Sequence, residues 1–495
     1  MSLKKLSGET LIYGLSSILG RLLNFGAVTP FITRVLTDEE FGEVGNLMFW
    51  TAFLIALVVF RMDTAVFRFA SRGDYDAEDV FRRAQRLVWL AVALVIGPLV
   101  VFAPALAGDH NVVYVQLVLV MVAFDALSAV PLARLRLQQR AWMFVAVNLS
   151  NVVLNILLIY AFLYYLPNYQ PQWFERSFGV GYYLLSIAIA AVLRYVILVV
   201  DGLRGASSAE ALDSPAATPA AAGGGAPSLS RLFRYSLPLT VVSVAGIANG
   251  LVGPPILMPY SEAAAGYFTA ALRMAVFLNL FVTAYQYAAE PFFFRQSGRD
   301  LATADRTIYA DAMRAYGLVG TLAITGILLG LPWLQHFIGP DVRPGLVVLP
   351  VLLAANFLFG IYSNLSIAYK LTDQTLLGGG IALVGSVFAV LCPLLFVGRY
   401  GIWAPAVGML LCYLVMCALA YAVSRKYFPV NYPFARMLVY VVIAAVCCYL
   451  GTLSEALVWR VVLLFLAVAG VGVLEWPWLL RTFGRRSAGE TKPRN

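Results

Sequence analysis

Apolar residues run along this chain in blocks about twenty residues long or longer, separated by short polar segments, and strict alternation of apolar and polar positions is absent. Blocks of that length match the hydrocarbon core of a bilayer crossed by a helix, whereas a membrane barrel would show ten-residue alternating segments. The pattern predicts spans over 8–33, 41–71, 80–103, 112–138, 142–165 and 178–200. After a polar interruption come 232–258, 262–295, 303–331, 345–370, 375–397, 402–425, 434–453 and 458–480. The expected fold class is therefore an all-α integral membrane protein of about 14 transmembrane helices.

Composition agrees. The 495 residues are 61% hydrophobic and 12% charged, with a mean hydropathy of +0.81, against roughly 25% charged in a soluble domain. The net charge of +9 would suggest a nucleic-acid partner in a soluble protein; here its distribution reports topology, and no nucleic acid is expected. With the N-terminus inside, most of the 35 Lys and Arg residues fall at cytoplasmic ends of spans. Only Arg34, Arg176, Arg343, Arg399 and Arg460 fall outside, the bias expected of a correctly counted topology. Both termini are predicted to be cytoplasmic. Lys4 and Lys5 precede a first span carrying Gly, Ser and Arg21 with no small-residue cleavage site after it, so it reads as a retained anchor. The five cysteines all lie in apolar spans without paired spacing and read as small apolar filler.

Residues 201–230 form the one long polar interruption, rich in Ala, Gly, Ser and Pro, and read as a flexible linker. It divides the chain into an N-lobe at 1–200, a C-lobe at 231–425, and two extra helices with a basic tail at 426–495. Two six-helix lobes that start on the same side imply a parallel repeat. Phe41-Gly42-Glu43-Val44 opens the second span as Ala265-Gly266-Tyr267-Phe268 opens the eighth, which supports pseudo-symmetry.

The chemistry lies in charges inside the spans. Arg21 sits midway through the first, Arg61 in the cytoplasmic half of the second and Arg273 in the outer half of the eighth. A charge near the bilayer centre costs at least ~2.5–3.5 kcal/mol, so it is kept where it faces a bundle interior or an aqueous cavity. The planar guanidinium fork suits phosphate oxygens, which points to a cationic cavity for an anionic substrate. Arg68, nearer the surface, fits snorkelling better. The in-span carboxylates Asp63, Asp125 and Glu290 are candidates for ion coupling or for counter-ions to the arginines. Pro291, after Glu290, permits a kink. Glu43 and Glu475 fall near the expected interfaces and carry less weight. Asp74-Tyr75-Asp76 imitates a metal-binding DxD but stands in a short loop. No HExxH, Walker A or GxSxG occurs, so no enzyme, metal or cofactor is expected.

The stretch LSGETLIYGLSSILGRLLNFGAVTPFITRVLTDEEFGEVG resembles the opening of bacterial polysaccharide and O-antigen flippases of the multidrug/oligosaccharidyl-lipid/polysaccharide exporter superfamily. FRMDTAVFRFAS and RLRLQQRAWMFVAVNLSNVVLNILL are similar to that family too, so the likeness covers the first 165 residues or so. The resemblance implies a flippase in the bacterial cytoplasmic membrane. Its substrate would be an undecaprenyl-pyrophosphate-linked oligosaccharide, moved to the outer leaflet by alternating access for surface polysaccharide assembly. Polymerases or glycosyltransferases would be its candidate partners. In the related lipid II flippases, cavity arginines come from the first, second and eighth helices, which here carry Arg21, Arg61 and Arg273. Their sodium site draws on the seventh and eleventh helices; this chain supplies Asn249 in the seventh and no carboxylate in the eleventh. The alternative is a multidrug or other small-solute exporter of the same fold, although cationic drugs favour an acidic cavity. A membrane polymerase or ligase is disfavoured by the short outer loops.

Overall fold

A computed structural model describes residues 18–71, 75–107, 111–209, 227–296, 306–372, 374–454 and 456–489. Every regular element among them is helical, as expected where the backbone must satisfy its own hydrogen bonds. In chain order the long helices are α1 (described from 18 to 35), α2 (Asp38–Ala70), α3 (Ala77–Val101), α4 (Val112–Leu137), α5 (Ala141–Tyr169) and α6 (Val180–Ala209). There follow α7 (Leu229–Leu251), α8 (Glu262–Gln296), α9 (Thr307–Leu329), α10 (Leu349–Leu371), α11 (Thr375–Tyr400), α12 (Trp403–Tyr427), α13 (Phe434–Thr452) and α14 (Leu457–Gly489). Twelve helices among the described residues are long and apolar enough to cross a membrane. With α1 and the more polar α7 they make up the fourteen, so the all-α reading holds.

The expected linker is shorter than its composition implies. Helix α6 runs on to Ala209, through two glycines and two serines that do not favour helix. The next helix begins at Leu229, and residues 210–226 lie outside the described residues.

The chain groups into two compact units. The first runs through Arg273 and adds Ile338–Val348 and Thr375–Val415. Within it α6 packs on α4 and α5, α2 on α4, and α7 on α11. Helix α2 opens with a capping box: Thr37 Oγ1 accepts from the Glu40 amide at 3.2 Å, and Glu40 Oε2 accepts from the Thr37 amide at 2.9 Å. Just inside, α2 and α8 meet almost backbone to backbone. A Cβ on Gly42 would collide with the Glu262 carbonyl oxygen and lie 2.8 Å from the Gly266 amide. One on Gly266 would collide with the Asp38 carbonyl oxygen, and one on Gly45 with Thr269 Oγ1. The two segments that read as a repeat thus cross each other at their glycines.

Helix α2 is broken further along. Phe60 and Arg61 are both left-handed, with φ of 49° and 53°, a geometry costing roughly 1–2 kcal/mol per residue without glycine. The Arg61 carbonyl then caps the next segment, accepting from the Thr64 and Ala65 amides at 3.1 and 3.0 Å. Phe60 packs edge-on against Phe233 of α7 with ring centroids 5.2 Å apart. Widened π turns at Asn24–Val28, Val92–Ile96 and Ala161–Tyr165 interrupt α1, α3 and α5.

The second unit comprises Met274–Phe337, Leu349–Gln374 and the chain from Met416 onward. Here α9 packs on α10, α13 and α14. Tyr316 of α9 stacks between Phe281 and Phe357, centroids 5.6 and 5.4 Å away. Polar side chains reinforce this apolar packing, as interhelical hydrogen bonds do in membranes. Asn279 donates to Asn356 Oδ1 at 3.2 Å, and Tyr285 donates to Asn364 Oδ1 at 2.6 Å.

The glycine crossing sets a stability test. Gly42→Ala and Gly266→Ala are each expected to cost about 1–3 kcal/mol, the usual penalty of overpacking, read as a lower thermal unfolding temperature in detergent. Gly380→Ala, whose Cβ would meet nothing within 4 Å, serves as control. Equal stability of all three variants would refute the crossing.

Candidate functional site

The candidate site is built from the arginines of the first unit. Arg273, on α8, is partly buried. Its Nη1 donates to Thr29 Oγ1 of α1 and its Nη2 to the Tyr183 hydroxyl of α6, both at 3.3 Å. The guanidinium lies over the Phe41 ring of α2, 5.3 Å from its centroid. Thr29, Phe41 and Tyr183 are all buried. Four helices therefore converge on one cation. No carboxylate among the described residues forms an ion pair with it. Its partners are long neutral hydrogen bonds and a ring face, which leave most of the positive charge uncompensated.

Arg61 occupies the break in α2. Its Nε is buried and has no hydrogen-bond partner among the described residues. An orphaned buried donor is rare and invites an acceptor. Arg61 stands twenty positions beyond Phe41, so it is about 30 Å along α2 from the level of Arg273, at 1.5 Å per residue. Arg21 is exposed on α1, roughly 12 Å of helix rise before Thr29. The three arginines thus belong to the same group of helices but do not converge on one point.

The carboxylates separate by role. Asp63 lies in the first turn of the segment after the break, where the positive end of a helix dipole favours it. It accepts a long 3.4 Å bond from Thr64 Oγ1 and forms no ion pair among the described residues. Asp125 of α4 is bound by Arg194 of α6 at 2.5 Å, the two side chains 27% and 14% exposed. Asp125 is therefore a counter-ion, and its partner is none of the three singled-out arginines. Arg194 belongs by sequence to the cytoplasmic charges, but in the fold it points into the bundle beside α4. Glu290 lies on α8, and its side chain is outside the described residues. No hydrogen bond or ion pair joins any two of Arg61, Arg273, Asp63 and Asp125. No cluster of His, Cys, Asp and Glu able to hold a metal occurs among the described residues.

Sequence reasoning gave little weight to the most buried charge among the described residues of the second unit. Glu475 of α14 is fully buried. It pairs with Arg314 of α9, accepts a short hydrogen bond from Tyr440 of α13, and lies 3.5 Å from Arg436. The Arg314 guanidinium lies over Trp478, 4.8 Å from its centroid, and Trp478 Nε1 donates to Asp311 at 2.7 Å. The available signal was a carboxylate inside the last apolar run, three residues before the span ends at Trp478.

These features define a multi-pass helical membrane protein with an uncompensated cation among its spans. No protein-family model matches the sequence, and no curated protein matches it. Solved structures do. A lipid II flippase, MurJ, in an inward closed conformation superposes with a TM-score of 0.71 at 13% identity, over 95% of this chain and 100% of that one. An inward-facing multidrug resistance MATE family transporter of the MOP superfamily gives 0.60 at 15% identity, over 85% and 97%. The MATE multidrug transporter DinF-BH gives 0.58 at 18% identity, over 86% and 97%. At these identities the likeness establishes a shared fold.

The Asp125–Arg194 pair yields a double-mutant test. Asp125→Leu alone strands a largely buried guanidinium and is expected to cost about 3–5 kcal/mol, whereas the double change to leucines costs far less. Thermal unfolding of the two singles and the double in detergent measures this. Additive effects would mean that the ion pair carries no coupling.

Proposed function

We propose that the protein is a flippase that moves a polyprenyl-pyrophosphate-linked oligosaccharide from the cytoplasmic to the outer leaflet of a bacterial cytoplasmic membrane. It would do so by alternating access, with both termini in the cytoplasm. The observation that carries the reading is Arg273, a partly buried in-span guanidinium held by two hydroxyls and a ring with no ion-paired carboxylate. Such a site favours an anion, and a pyrophosphate supplies several acceptor oxygens that a fork of donors can share. Arg61, with its orphaned Nε, and Arg21 would serve as earlier stations along the same helices. A bound pyrophosphate would thus pass between cations rather than rest on one cluster. The lipid tail would stay in the bilayer, and polymerases or glycosyltransferases would act on the product.

A second reading, a multidrug or small-solute exporter, is favoured by the likeness to MATE transporters. The charge of the site separates the two: an exporter of cationic drugs would be expected to offer a carboxylate at the position of Arg273.

The test is flipping of a fluorescent polyprenyl-pyrophosphate glycan in proteoliposomes. Wild type is expected to flip it. Arg273→Ala should slow flipping at least tenfold, a rise of about 1.4 kcal/mol or more in the barrier, and Arg273→Lys less so. Arg21→Ala and Arg61→Ala should each reduce it as well. Flipping by wild type undiminished in folded Arg273→Ala would remove the arginine from the site. Absence of flipping alongside active efflux of a cationic dye would favour the exporter.

A further inference from the structure

The second unit holds a cavity of about 420 Å³ at the start of α9, closed on one side by the segment joining α12 to α13. Its polar lining is Arg306, Thr307, Asp311, Arg314 and Asn431, with Pro429 and Pro433 as apolar walls. We infer that this cavity binds the headgroup of a membrane phospholipid, with phosphate held by Arg306 and Arg314 and an ammonium group held by Asp311.

The arginines keep donors to spare. Arg314 commits Nη2 to Glu475 and one face to Trp478, and its Nε is buried without a hydrogen-bond partner. Arg306 is exposed; among the described residues it gives a long 3.4 Å bond to the Pro429 carbonyl and rests on the Phe428 ring at 5.4 Å. Arg436 adds a third guanidinium beside Glu475. Against these stand two carboxylates among the described residues, Asp311 and Glu475, so three guanidinium groups face two carboxylates there. Asp311 receives Trp478 Nε1 on one oxygen, which leaves lone pairs for a cation across the cavity.

The depth of the site selects a lipid over a soluble anion. Three membrane-spanning helices end here: α9 and α13 start, and the apolar part of α14 finishes at Trp478. Exposed Trp476 lies at the same end, and tryptophan favours the headgroup level of a bilayer. The fully buried Glu475, clamped by Arg314 and Tyr440, also fixes Arg314 before any ligand arrives, which lowers the ordering cost of binding. This cavity shares no residue with the arginines of the first unit, so the inference stands apart from the proposed transport function.

The test uses the full-length protein, purified and stripped of lipid in detergent. Thermal unfolding is titrated with short-chain phosphatidylethanolamine, short-chain phosphatidylglycerol and inorganic phosphate. Phosphatidylethanolamine is expected to raise the unfolding temperature of wild type most strongly. Its half-saturating concentration should rise at least tenfold in Arg306→Ala. Asp311→Asn should abolish the preference over phosphatidylglycerol. Both positions are at least partly exposed at a helix start, so the variants should fold; a wild-type unfolding temperature without lipid checks this. An unchanged titration in Arg306→Ala would overturn the inference. So would equal stabilisation by inorganic phosphate, which marks a small-anion site, or equal affinity for both lipids in wild type, which removes the ammonium contact.

Discussion

Charge buried among apolar helices decides how this chain is organised. Desolvating an ion costs several kcal/mol, and only close partners return it. The protein meets that demand in two ways. Asp125 and Arg194 neutralise each other between α4 and α6, and Glu475 draws in Arg314, Tyr440 and Arg436 from α9 and α13. The Glu475 cluster fastens α13 and α14, which have no counterpart in a twelve-helix repeat, to the rest of their unit. Removing its carboxylate would leave a nearly buried guanidinium with only neutral neighbours among the described residues, the Tyr440 hydroxyl and the Trp478 ring. Arg273 breaks the pattern, because it is partly buried and has no ion-paired carboxylate among the described residues.

The backbone shows a comparable division between relaxed and costly features. The crossing of α2 and α8 is possible only because Gly42, Gly45 and Gly266 present no Cβ to the facing helix. Close approach of this kind gives dense packing without needing a hydrophobic drive, which lipid does not supply between helices. The left-handed pair at Phe60 and Arg61 is different, since neither residue favours that geometry. Its cost is offset by the Arg61 carbonyl capping the next segment and by the Phe60–Phe233 contact. Strain of this sort persists where surrounding structure over-determines it, and it concentrates at working sites. Here it turns an in-span arginine off the regular helical path.

Much of the fold was legible because a bilayer leaves the backbone few options. Long apolar runs had to be helices, and their number followed from their length. The repeat at Phe41-Gly42 and Ala265-Gly266 was visible as similarity, although only the fold shows the two segments crossing. Pairing of charges was not legible. Which arginine meets Asp125 depends on α6 lying beside α4, and hydropathy carries no information about neighbours. Glu475 was undervalued for a related reason: it falls near the end of an apolar run, and its burial comes from α9 and α13 packing beside it, which hydropathy does not show. The break at Phe60 has no glycine or proline to announce it. In the candidate site, residue type, helix and depth were readable for Arg21, Arg61 and Arg273, and so was their separation along the helices, whereas the side chains that partner them were not.

That separation changes what the arginines can do for the proposed substrate. A single cluster would hold a pyrophosphate tightly and release it slowly, since multidentate charge pairing in a low dielectric is strong. Cations spaced along α1 and α2, with Arg273 at the far end, would offer a series of weaker holds. Each would exchange phosphate contacts with the next, so no step requires the full desolvated charge to be stranded. A membrane potential negative inside assists an anion moving outward by roughly 2.3 kcal/mol per charge per 100 mV, and weak intermediate holds let that drive appear as net movement. The absence of an ion-paired carboxylate at Arg273 belongs to the same logic. A resident counter-ion would compete with the substrate for that guanidinium and weaken its capture at the last station.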